Sequence, residues 1–194
     1  MSLVATRLAA IKPSPTLAVS AKAAQLKSEG KDIIGLGAGE PDFDTPQFIK
    51  DAAVEAMKKG LTKYTPAGGT VSLKKAIIAK FKRDNGLDYT PKQILVSCGG
   101  KHTSFNLCLA LLNPGDEVII PAPYWVSYPD MAVVAEAKPV FITAGIEQGF
   151  KITAAQLEAA ITPKSRLIFI NSPSNPSAAV YTLEELKALG EVLR

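Results

Sequence analysis

The segment Ser97-Cys98-Gly99-Gly100-Lys101-His102 has the residue types and spacing of an anion site. It lies between a short apolar run, Ile94-Leu95-Val96, and a stretch of helical spacing from Phe105 to Leu112. Two glycines let the backbone approach a ligand, a helix start offers N–H groups with no partner in the helix, and Lys101 adds a full positive charge. Phosphate is the ligand that suits this best. The same glycines would also serve a plain tight turn. The segment is not a Walker loop, which needs glycine where Leu95 stands and Ser or Thr where His102 stands. Gly35-Leu36-Gly37-Ala38-Gly39 fails as a dinucleotide loop, because the third glycine is one position early and Glu40-Pro41 follows instead of a helix. Trp125, the single tryptophan, sits between Tyr124 and Tyr128; its flat indole could stack on a planar ligand or fill a core. Asn175-Pro176 offers an amide side chain, or simply a polar turn, before a proline that could be cis. His102, the single histidine, could donate a hydrogen bond beside a phosphate but supports neither a triad nor a metal site.

These residues need a frame that gathers them. Helical signals run over residues 17–29, from Thr45-Pro46 to Lys59, and over 71–83. Thr153 with Gln156, and Thr182 with Glu185, open two more helices as capping boxes, and residues 126–135 read as helical. Short continuous apolar runs lie between them: Ile33–Leu36, Ile94–Val96, Val118–Ile120, Val140–Ile142 and Leu167–Ile170. From residue 94 onward, strands and helices alternate at about 23–27 residues, the rhythm of an α/β domain with a largely parallel sheet. In such sheets ligands collect at the strand carboxyl ends. That puts the loops at 97–101, 121–125 and 171–176 around one crevice.

Composition narrows the class. The 194 residues are 47% hydrophobic and 21% charged, which excludes a disordered chain and allows a real core. Two cysteines, Cys98 and Cys108, are too few for a disulfide framework and lack zinc spacing, so a reducing compartment is expected. No apolar stretch reaches the ~18 residues that span a bilayer, and no secretory start is visible. A cytoplasmic location is the expectation, with no membrane partner. The net charge is +4, yet residues 51–101 alone hold ten Lys/Arg against four acids. These lysines fall on amphipathic helices without interleaved aromatics, the pattern of a solvated face rather than of a nucleic-acid site.

Five segments occur in order: Gly39-Glu40-Pro41-Asp42-Phe43-Asp44-Thr45-Pro46, Tyr64-Thr65-Pro66-Ala67-Gly68-Gly69, Gly99-Gly100-Lys101, Pro123-Tyr124-Trp125-Val126-Ser127-Tyr128 and Asn171-Ser172-Pro173-Ser174-Asn175-Pro176. Together they resemble the fold-type I pyridoxal-phosphate aminotransferases, most closely the bacterial aspartate/prephenate branch, over essentially the whole chain. The resemblance implies a three-layer αβα fold with a mostly parallel sheet. It implies residues 1–45 as an amino-terminal arm and part of a small domain, and residues 46–194 as the first part of the large cofactor-binding domain. It also implies pyridoxal phosphate as cofactor, held by the backbone N–H groups of Gly100 and Lys101, with Trp125 stacked on the ring and Asn175 on its hydroxyl oxygen.

Further roles follow from the same resemblance. Tyr64 would reach the phosphate of a neighbouring subunit, so a homodimer is expected. Gly39, Trp125 and Asn175 would contact an amino acid or 2-oxo acid. Lys101, with Ser14 and Thr16 of the partner subunit, would bind an acidic side chain, as a cation suits a carboxylate. The peptides before Pro123 and Pro176 would be cis. Other fold-type I enzymes, such as aromatic or alanine aminotransferases and β-lyases, share these loops.

Three departures stand out. Ser177-Ala178 replaces the usual Thr-Gly, and an alanine held at positive φ costs ~1 kcal/mol. His102 replaces a usual glutamine, and Val71 stands where proline is common. Moreover, no Ser-x-x-Lys context for a Schiff-base lysine occurs, nor the acid and arginine that pyridoxal chemistry requires. The expectation is therefore an amino-terminal portion of an aminotransferase, without transaminase activity by itself and without a catalytic residue of its own. A non-enzymatic chain built on the same fold is the alternative.

Overall fold

A computed structural model describes residues 3–37 and 39–194. Ala38 of the glycine-rich loop lies outside the described residues. The chain forms two units: the segment up to Lys12 together with Lys101–Arg194, and Pro13–Gly100.

The first unit is built on three parallel strands, β1 (Glu117–Ala122), β2 (Lys138–Thr143) and β3 (Ser165–Ile168), in the order β2-β1-β3. β1 is central because its apolar run is flanked on both sides, pairing Ile119 with Val140 and with Ile168. Alternation decides which face each residue covers. Val118 and Ile120 join Cys108, Leu112, Met131 and Ala132 on one face, under helices α4 (Gly100–Leu111) and α5 (Ser127–Val134). Ile119 joins Ile142, Leu157 and Leu189 on the other, under α6 (Ala154–Ala160) and α7 (Leu183–Val192). The result is the expected three-layer αβα arrangement around a parallel sheet.

Both capping boxes form as read: Thr153 and Thr182 each accept from the backbone N–H three residues on, at 3.2 Å. Lys151 reaches Glu185 at 2.6 Å, and the Tyr181 hydroxyl accepts from the Ile152 N–H at 2.9 Å, tying the α6 entrance to α7. At the amino ends of the strands, Glu117 is buried against Lys138 (3.3 Å) and accepts from the Thr162 hydroxyl (2.7 Å). That hydroxyl, ahead of Lys138, draws the Glu117 carboxyl below its usual range.

The second unit has helices α1 (Pro15–Ser28), α2 (Gln47–Lys58) and α3 (Val71–Asn85). Two expectations fail here. Ile33–Leu36 and Ile94–Val96 are not strands, because a strand needs a ladder and neither run has a partner strand among the described residues. Instead the Val96 N–H donates to the Gly68 carbonyl at 3.0 Å. Beside it Gly69 sits at φ +101°, where a Cβ would come within 2.6 Å of the Val96 side chain. The Tyr64–Gly69 loop is thus pinned on residue 96. Thr45 also fails as an N-cap: Pro46 takes the cap position of α2 with no side-chain bond, while Ser14, before Pro15, does cap α1 through the Leu17 N–H at 3.4 Å.

Candidate functional site

The three chemically unusual loops all follow a strand-like run and precede a helix. α4 starts at Gly100, so the first N–H groups of a 12-residue helix, those of Gly100 and Lys101 included, project from its end. Gly99 adopts φ +91°, a turn that L side chains rarely make, and a Cβ on either Gly99 or Gly100 would meet nothing within 4 Å. Neither glycine is crowded where a side chain would stand.

β1 ends in Pro121-Ala122, and a cis peptide before Pro123 swings the chain into Tyr124-Trp125. Trp125 is half-buried against the α4/α5 face of the core. The Lys101 ammonium lies 4.9 Å from the centroid of the indole ring, a cation–π contact that brings two sequence-predicted site residues together. On another side the indole meets Tyr128 edge-on, with ring centroids 5.4 Å apart at 88°. Tyr128 in turn stacks on Phe169 at 4.3 Å and 13°.

β3 leads into the third loop. The Phe169 N–H donates to the Ile119 carbonyl at 3.1 Å, so the carboxyl ends of β1 and β3 lie side by side. The loop is held by its own polar atoms: the Asn171 side chain accepts from the Asn175 N–H (2.8 Å), and Ser172 Oγ accepts from the Tyr181 N–H (3.1 Å). The peptides before Pro123 and Pro176 are cis as expected, and that before Pro173 is cis as well. Asn175 is exposed and lines, with Tyr124, Tyr128, Phe169 and Asn171, a cavity of about 20 Å³. Ala178 stands at φ +57°, the left-handed conformation for which glycine is better suited; its N–H donates to Ser174 at 2.8 Å.

Gly39, Tyr64, Ser14 and Thr16 belong to the Pro13–Gly100 unit. Tyr64 is fully exposed there, Gly39 is exposed, Thr16 lies in the first turn of α1, and the Ser14 hydroxyl caps that helix. Sequence reasoning did not single out Tyr128 as a support or Phe169 at all. A signal existed for Phe169: with Leu167 it occupies alternate positions, which puts both on the face opposite Ile168. Burial raises the Tyr128 phenol pKa. Among the described residues no group of three or more His, Cys, Asp or Glu could hold a metal ion, and no helix is long and apolar enough to cross a membrane.

Comparison with known proteins agrees with this geometry. A curated relative from Nitrosomonas europaea, an aspartate/prephenate aminotransferase, is 69% identical over 97% of this chain and 47% of its own length. An aspartate aminotransferase from a Bacillus species is 56% identical over 98% of the chain and 48% of its own. The solved aspartate aminotransferase from Rhizobium meliloti superposes with a TM-score of 0.95 at 51% identity, and that from Thermus thermophilus, solved with maleate, with 0.95 at 46%. They cover 100% and 99% of this chain, and 48% and 50% of their own. The chain spans about half the length of the curated relatives it matches. The family described as aminotransferase class I and II matches residues 31–194, and the chain belongs to it.

Proposed function

We propose that this chain is the cofactor-anchoring, amino-terminal portion of an aminotransferase that moves an amino group between an aspartate-like amino acid and a 2-oxo acid, with pyridoxal phosphate as cofactor. The observation that carries this reading is the α4 amino terminus, uncrowded at Gly99 and Gly100, on the same helix as a lysine that touches the indole of Trp125. The residues suit the group. Helix N–H groups of Gly100 and Lys101 match a phosphate, the indole matches a planar ring, and the exposed amide of Asn175 matches a ring hydroxyl. Pyridoxal phosphate, when bound, supplies the electron sink that acidifies the substrate's α-carbon.

The chain's own residues bind and orient. Gly100 and Lys101 fix the phosphate end, while Trp125 fixes the tilt of the ring. By the family resemblance, Asn175 would lie near the α-carboxylate of the amino acid, and Gly39 would give the substrate a backbone contact. Lys101 holds a cation 4.9 Å from the indole centroid and favours a second carboxylate on the substrate; the Thermus relative's maleate is such a dicarboxylate. In a homodimer, Tyr64 serves the phosphate of the neighbouring site, and Ser14 and Thr16 of the partner subunit join Lys101. Residues 1–45 form the arm and part of the small domain, and 46–194 the start of the large one. The proton-moving lysine, the acid at the ring nitrogen and the carboxylate-clamping arginine come from outside residues 1–194.

The test is amino transfer from aspartate to a 2-oxo acid, measured on the full chain and on residues 1–194 alone. Activity is expected in the first only. A Trp125→Leu substitution in the full chain should weaken cofactor binding about tenfold, a stacking contribution of ~1.4 kcal/mol. Activity of residues 1–194 by themselves, with cofactor reducible onto one of their lysines, would overturn the reading.

A further inference from the structure

The indole of Trp125 does not stand alone. Tyr128 meets it edge-on at 5.4 Å and lies flat on Phe169 at 4.3 Å, while Lys101 contacts the same indole at 4.9 Å. These residues come from three different segments: the start of α4 (Lys101), the β1–α5 connection running into the first turn of α5 (Trp125 and Tyr128), and the residue just past β3 (Phe169). Phe169 leads directly into the loop whose Asn171 side chain holds the Asn175 N–H, and Tyr128 lines the small cavity on which Asn175 borders. We propose that Tyr128 is a positioning residue: wedged between Trp125 and Phe169, it fixes the indole and couples it to the Asn171–Pro176 loop. The inference rests on the reading of Trp125 as the stacking platform for a planar ligand, and deepens it.

The physical reason lies in the two contact geometries. An edge-to-face contact places the positive rim of one ring against the negative face of another and constrains tilt, whereas an offset stack constrains sliding. One tyrosine that makes both transmits a displacement of either neighbour to the other. The ring, not the hydroxyl, makes both contacts. Tyr128→Phe should therefore preserve the coupling, and Tyr128→Leu should abolish it.

The experiment uses the full chain, free and with pyridoxal phosphate. Emission from Trp125 is taken as the difference from Trp125→Phe, and cofactor affinity is measured by titration. Tyr128→Leu and Phe169→Leu are expected to shift Trp125 emission and to weaken cofactor binding at least fivefold, with Tyr128→Phe within twofold of the parent. Leu157→Ala, which opens the separate core on the other face of the sheet, should lower the melting temperature without changing either readout. Three outcomes would overturn the proposal: unchanged emission and affinity in both leucine variants, an equal loss in Leu157→Ala, or an equal loss in Tyr128→Phe. If the parent chain binds no pyridoxal phosphate, the functional reading fails, while the emission of the free variants still decides the coupling.

Discussion

Residues 101–194 and residues 13–100 contain equally well-formed helices but very different interiors. In the first, Val118, Ile120, Cys108 and Leu157 are 0% exposed, and both faces of the sheet are covered. In the second, only Ile94 is buried among the described residues, while Ile34, Leu36 and Phe48 stand 84%, 93% and 73% exposed. Charge does not account for the contrast, since α2 and α3 also carry apolar residues at helical spacing. What differs is whether a second layer is present to receive them. A helix forms from local signals, but its apolar stripe contributes little until another element covers it. The exposed apolar faces of residues 13–100 are what a portion covering half of its relatives' length is expected to show.

The largest predicted effect separates the two regions directly. Ile120→Ala should cost residues 1–194 about 2–5 kcal/mol in urea unfolding, through lost transfer energy and a cavity. Phe48→Ala in the same chain should change stability by no more than about 0.5 kcal/mol. Equal costs would mean that 13–100 has a core of its own. Next comes Gly69→Ala, where positive φ and the overlap with Val96 act together. A penalty of ~2 kcal/mol would speed exchange of the Val96 amide about 30-fold. An unchanged rate would show that the Tyr64 loop is not pinned there.

Capping gives a finer comparison. Thr182→Ala should cost ~1 kcal/mol, because its hydroxyl accepts from the Glu185 N–H, whereas Thr45→Ala should be close to neutral. Thermal melts of the two variants decide it. Ala178→Gly should raise stability by roughly 0.5–1 kcal/mol by removing a left-handed alanine, seen as a higher melting temperature.

The smallest effect is electrostatic. Glu117 is drawn below the ordinary carboxyl range first by the Thr162 hydroxyl and then by Lys138, and Glu185 first by Lys151 and then by the Thr182 N–H. A carboxyl with a lowered folded-state pKa adds stability that is fully present above its unfolded value of about 4.3. That stability is lost as pH falls through the lower folded value. Acid titration of unfolding should therefore steepen below about pH 4.3. Glu117→Gln should flatten that limb, whereas Asp84→Asn, which removes an exposed carboxyl lowered by Arg83 and Lys80 in the other region, should flatten it less, because solvent screens an exposed pair.

Much of this was legible in the residues. The capping boxes at Thr153 and Thr182 are four-residue signals whose partners are local, and both formed where read. The alternation Val118-Ile119-Ile120 contains both faces of the sheet, since successive side chains must point in opposite directions. The glycines and lysine at 99–101 marked a helix start, because the freedom of a glycine to take positive φ is a property of the chain itself. Thr45 misled because a hydroxyl before proline permits a cap without requiring one, and here the helix starts one residue later.

Other features had no local cause. Ile94-Leu95-Val96 has the composition of a strand, but a strand exists only when a neighbour offers its own N–H and C=O groups, and Gly68 offers a single carbonyl. The rings of Trp125, Tyr128 and Phe169 lie up to 44 residues apart in sequence, so nothing short of the pairing of β1 with β3 could stack them. Sequence alone therefore determined the helices and the capping boxes at Thr153 and Thr182, which depend on neighbours a few residues away. Only the tertiary structure decided which apolar runs became strands and which rings met, because those contacts require distant segments to be brought together first.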